Sequence, residues 1–100
     1  MNDHDDALES RFYRRPEKPV PATVIEMLSR FEFDSTLDYL NKLLEKEPDF
    51  EDAWEKKGMV CFLMLKYSDA VQAYDAALKI NPANVRAKKG KEEAIYWLKR

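Results

Sequence analysis

A chain of 100 residues with 17 basic and 19 acidic side chains has room for one small domain, and its net charge of −2 lacks the positive excess of a general nucleic-acid binder. Hydrophobic residues make up 45% and charged residues 36%, with only 2 glycines, which points to a soluble, helix-rich chain and excludes a disordered or fibrous one. One histidine, one cysteine and few Ser or Thr leave little from which to assemble a catalytic set, so the expected function is non-enzymatic, with no cofactor.

Residues 1–21 form an arm unlike the rest. Asp3, Asp5, Asp6 and Glu9 make it acidic, and Pro16, Pro19 and Pro21 block a regular helix. Leu8, Phe12 and Tyr13 are spaced for one short amphipathic turn that could dock on the body. The arm has no charged-then-apolar leader pattern, and a single cysteine fits a reducing compartment. The longest apolar run, Met59 to Leu65, is far below the roughly 20 residues a bilayer needs. The expected location is cytoplasmic, with no membrane partner.

From Ala22 onward the apolar spacing is helical. Val24, Ile25, Leu28 and Phe31 follow the three-four pattern, as do Leu37, Leu40, Leu43 and Leu44. Breaks at 33–35, 47–49, 66–68 and 81–84 carry helix-start or helix-stop residues: Asp34 or Ser35, Pro48 then Asp49, Ser68, and Pro82 then Asn84. The spacing predicts five helices, over 21–31, 34–46, 50–64, 68–80 and 85–99. Their short links make neighbours antiparallel and the fold all-α.

Shifted against itself by 34 positions, the chain lays Leu44 on Leu78, Pro48 on Pro82, Ala53 on Ala87 and Lys57 on Lys91. Phe33 falls on Tyr67 and Phe62 on Tyr96. Small Gly58 and Ala70 would stand where two helices come closest, Tyr74 and Trp54 would fill wider gaps, and Pro82 ends a helix.

These positions carry a family resemblance. Residues 51–84 resemble the tetratricopeptide repeat, a helix–turn–helix unit of 34 residues, whose Trp, Gly, Ala, aromatic, Ala and Pro positions hold Trp54, Gly58, Ala70, Tyr74, Ala77 and Pro82. Lys57 and Cys61 depart from the usual Leu and Tyr. Residues 17–50 look like a degenerate copy, with Val20, Val24 and Thr36 at the Trp, Gly and first Ala positions. Residues 85–100 resemble the first helix of a third copy, with Lys88 and Glu92 for Trp and Gly, and would serve as a capping helix. The resemblance implies a short α–α superhelix whose first helices line a concave, partner-binding groove.

The residues that would face that groove are Asp52, Glu55, Met59 and Phe62 on one helix, Arg86, Lys89, Glu93 and Tyr96 with Trp97 beside them on the last, and Ile25 and Leu28 in the degenerate copy. Some relatives grip a C-terminal carboxylate with Lys and Asn on these helices. Here only Lys89 has the right charge at those positions, and Glu55 and Glu93 would repel an acidic tail, so that clamp is expected to be absent. The last helix ends Ala94–Ile95–Tyr96–Trp97–Leu98, apolar all round, where a cap should be polar. Cover from the arm, from a second copy or from another protein is expected.

Other chemistry has weaker footing. His4 lies among three aspartates in the arm, with no further ligand converging on it. Cys61, in an apolar run, reads as a small buried hydrophobe. Glu51/Asp52 and Glu92/Glu93 are adjacent pairs that point about 100° apart on a helix and make no acid–base couple. Glu92 and Glu93 interrupt the basic last helix, which argues against nucleic acid. The expected partner is another protein, with a homo-oligomer as the alternative.

Overall fold

A computed structural model describes residues 18–100 of the chain. These residues form five α-helices and no strand: α1 (Ala22–Ser29), α2 (Phe33–Lys46), α3 (Glu51–Leu63), α4 (Tyr67–Ile80) and α5 (Val85–Leu98). Short links turn each helix back on the one before it, and every helix packs on its neighbour in sequence, while α3 also touches α5. The all-α fold is the one the apolar spacing predicts. The arm as far as residue 17, including His4 and the turn expected around Leu8, Phe12 and Tyr13, lies outside the described residues. Of residues 18–21, Lys18, Pro19 and Pro21 are exposed. Val20 is buried in the core, and its N–H donates to Asp52 Oδ2 at 2.8 Å. Pro19 and Pro21 keep this stretch out of α1, which is why α1 is the shortest helix.

The 34-residue period is written into the backbone. Adding 34 to the ends of α2 gives the ends of α4, and adding it to the start of α3 gives the start of α5. The turns repeat bond for bond. Phe31 N–H donates to Leu28 O and Glu32 N–H to Met27 O, each at 3.0 Å; their counterparts run from Leu65 to Phe62 and from Lys66 to Cys61, at 2.9 and 2.8 Å. This paired pattern closes a helix when the residue after the cap turns left-handed, a place that favours glycine. Here Phe31 and Leu65 hold it, at φ 59° and 63°. The reversal is so tight that α2 and α4 begin two residues later. Asp34, Ser35 and Ser68, expected as helix starters, therefore lie inside first turns, and Glu32 and Lys66 occupy the cap positions without a capping side chain. Asn84 does cap α5, its Oδ1 accepting from Ala87 N–H at 2.9 Å.

Phe31 and Leu65 are 77% and 70% exposed, so neither gains burial in return for the left-handed backbone. Leu65→Gly should therefore raise the free energy of unfolding by about 0.5–1 kcal/mol, the difference between a strained side chain and glycine's greater freedom in the unfolded chain. Urea unfolding checks this; a loss of stability would mean that Leu65 packs in the folded chain.

Two apolar clusters meet across Leu37 and Trp54. One holds Val20, Val24, Leu40, Leu44, Phe50, Ala53 and Val60; the other Cys61, Ala70, Tyr74, Ala77, Ala87 and Ala94. Tyr74 of α4 joins three helices. A Cβ on Gly58 of α3 would lie 2.7 Å from its Cε1, and a Cβ on Gly90 of α5 would lie 2.8 Å from its Cε1 and Cε2. The ring thus occupies a slot between two bare backbones. In the preceding hairpin the equivalents of Gly58 and Tyr74 are Val24 and Leu40, both fully buried in one cluster. The larger residue has moved to the other side of the contact, so the hairpin keeps its spacing with a different division of volume.

Burial, followed by the charges of Glu55, Cys61 and Glu93, pushes the Tyr74 hydroxyl up to about 12. The folded chain therefore holds this proton more tightly than the unfolded one, where tyrosine titrates near 10. Its contribution is complete below pH 10 and is lost as pH rises from 10 to 12, by about 2–3 kcal/mol. Tyr74→Phe should remove that share of the alkaline loss, read as the difference between the two urea-midpoint profiles. Parallel profiles would contradict the burial of the hydroxyl.

Candidate functional site

The face shared by α3 and α5 divides into a polar upper half and an aromatic lower half. At the top, Asp52 and Glu55 are only 5% and 6% exposed. Asp52 accepts from Val20 N–H and pairs with Lys56 Nζ at 2.9 Å. Glu55 Oε2 lies 3.2 Å from Arg86 Nε and 3.6 Å from Lys56 Nζ, and its Oε1 accepts from Asn84 Nδ2 at 3.1 Å. Asn84, fully buried, also donates to Glu51 Oε2 at 2.8 Å, and Asn81 Nδ2 donates to the same oxygen at 2.9 Å. Charges buried in this way are held by their partners. Asp52 and Glu55 stand on the helix that the sequence assigned to the groove, but they lock the start of α3 to residues 18–21 and to the α4–α5 link. Neither presents a free carboxylate, so Glu55 is not the repelling charge expected there.

Below this network the face turns apolar. Met59 and Phe62 are half-buried, Tyr96 and Trp97 are about half exposed, and Lys89 and Glu93 stand in solvent on α5. Phe62 meets Tyr67 edge-on with centroids 5.3 Å apart, Tyr67 stacks on Trp97 at 6.4 Å, and Trp97 meets Tyr96 edge-on at 5.3 Å. The Arg100 guanidinium lies over the Tyr96 ring at 4.9 Å. The end of α3, the start of α4 and the end of α5 are thereby joined by one aromatic ladder, flanked by exposed Leu63, Leu65 and Leu98. Of the apolar end of α5, Ala94 is buried and Ile95 half-buried, while residues 96–98 are exposed. Tyr67 was not singled out from the sequence; its alignment with Phe33 under the 34-residue shift was the available signal.

The opposite side holds a cleft of about 410 Å³ between α2 and α4, with Leu37, Asn41, Asp69 and Gln72 on its walls and Trp54, Lys57 and Cys61 on its floor. Lys57 brings a long cation and Cys61 a small thiol to this floor. The Lys57 ammonium rests 5.3 Å from the Trp54 ring centroid, and Trp54 Nε1–H donates to Pro48 O at 2.7 Å. Burial first, then the charge of Asp69, raises the Cys61 thiol above its ordinary range, against weaker pulls from Lys57 and Lys66. It therefore stays protonated and packs as a hydrophobe.

Among the described residues no helix is long and apolar enough to cross a membrane, and no three His, Cys, Asp or Glu gather where a metal ion could be held. Compared with known proteins, the chain matches no family model, no curated protein and no solved structure.

Proposed function

We propose that the chain is a non-enzymatic protein-interaction module that takes up an apolar helix or peptide of a partner across the lower α3/α5 face. The ladder Phe62–Tyr67–Trp97–Tyr96 carries this reading: it is continuous from α3 to α5, and its far end, Trp97 and Tyr96, is about half exposed, with only the Arg100 guanidinium laid over the Tyr96 ring. Contiguous exposed aromatic surface is characteristic of association sites, where such rings bury large areas with few rotors. With Asp52 and Glu55 committed internally, Lys89 and Glu93 are left to orient the partner. The tetratricopeptide resemblance of residues 51–84 supports the same face, since first helices line the groove in that family.

Immobilised chain should retain a partner from cell extract. Met59→Glu or Tyr96→Ala should each weaken retention about ten-fold or more, with helix content unchanged by circular dichroism. Undiminished retention by both variants would reject the reading. Exposed Trp97 and Leu98 favour self-association as the second reading; a strict monomer at high concentration in light scattering removes it.

A further inference from the structure

We propose that the chain's own residues 3–13 cover the lower α3/α5 face, with Leu8 and Phe12 on the aromatic ladder and the acidic side chains around them against Lys66, Lys99 and Arg100. The proposal needs no partner and stands apart from the interaction reading. If both hold, this segment and the partner compete for one surface.

The first ground is the patch itself. Leu63, Tyr96, Trp97 and Leu98 are all exposed around one ladder.

The second ground is where the described chain begins. Val20 is fixed to Asp52 at the upper end of α3, and Lys18 pairs with Glu47 and lies over the Phe50 ring. From Asp52 down to Phe62 is about 15 Å of helix. Extended chain spans about 20 Å from Lys18 to Phe12 and about 33 Å to Leu8. Both side chains therefore reach the ladder with length to spare.

The third ground is the order of charge. Counting outward from Lys18, the charges run Glu17, then Arg15, Arg14 and Arg11, then Glu9, Asp6, Asp5 and Asp3. Down the face, past exposed Lys89, come exposed Glu93 and then exposed Lys66, Lys99 and Arg100 at the ends of α3 and α5, while Asp69 lines the opposite cleft. With Phe12 on the ladder, the acidic run beyond it would meet the basic end, a match of opposite sign at that end of the face.

The test uses the full chain with a nitroxide on the new thiol of Asp5→Cys; buried, protonated Cys61 is left unlabelled. In nitrogen-15-labelled protein, the amides of Lys66, Trp97 and Lys99 should lose most of their intensity, and Asn41 and Gln72 beside the opposite cleft should keep theirs. Lys99→Glu with Arg100→Glu should restore much of the loss. A mixture of spin-labelled nitrogen-14 chain and unlabelled nitrogen-15 chain should show no loss. Uniformly intact amides, loss centred on the cleft, or equal loss in the mixture, which would assign the contact to a second copy, each overturns the proposal.

Discussion

Gly58→Val should lower the free energy of unfolding by about 2–3 kcal/mol, and Gly90→Val by a similar amount, although both glycines are helical and valine is no worse a helix former. The reason is the Tyr74 ring. An added Cβ on Gly58 meets its Cε1 at 2.7 Å, and the ring cannot retreat toward α5, where Gly90 leaves it equally little room. The preceding hairpin suggests the remedy, since Val24 stands at the glycine position there and Leu40 at the tyrosine position. In a Tyr74→Leu background the cost of Gly58→Val should therefore shrink by about 1 kcal/mol or more, a coupling that separate loss of packing at each site would not produce. Urea unfolding of the four chains measures it, and additive effects would mean that Gly58 and Tyr74 do not touch.

Asn84→Leu should cost about 3 kcal/mol. Fully buried Asn84 caps α5 through its Oδ1 and supplies its amide to Glu51 and Glu55, so leucine removes a cap and leaves two carboxylates short of a donor. Asn84→Asp separates the two roles. It keeps the capping oxygen, yet it places a third carboxylate where the donor stood. At neutral pH it should be at least as damaging as the leucine variant. If capping were all that Asn84 does, aspartate would be nearly harmless. Chemical denaturation of the three chains decides between these outcomes.

The helices and their period were legible because both depend on local signals. Leucine spacing marked the faces, Pro48 and Pro82 marked the breaks, and Gly58 with Tyr74 marked the close approach. The inward roles of Asp52 and Glu55 were not legible. Their partners Val20 and Asn84 lie about thirty residues away, one before α1 and one in the α4–α5 link, and helical period says nothing about such contacts. Gly90 escaped because it falls outside the family positions, yet a second helical glycine in a chain with only two is itself a sign that something large lies against it. Phe31 and Leu65 escaped for the opposite reason: left-handed helix ends are read from Gly or Asn, and here the backbone adopts that turn with bulky residues. The cleft that Lys57 and Cys61 line appears only once α2 and α4 are set beside them.

One NMR measurement tests most directly whether three helices are joined through a single ring. The Hα resonances of Gly58 and Gly90 should both be displaced upfield by the Tyr74 ring current, and both should give nuclear Overhauser contacts to its ring protons. Glycine resonances near random-coil positions, or contacts from one glycine only, would contradict the packing of α3, α4 and α5 around Tyr74.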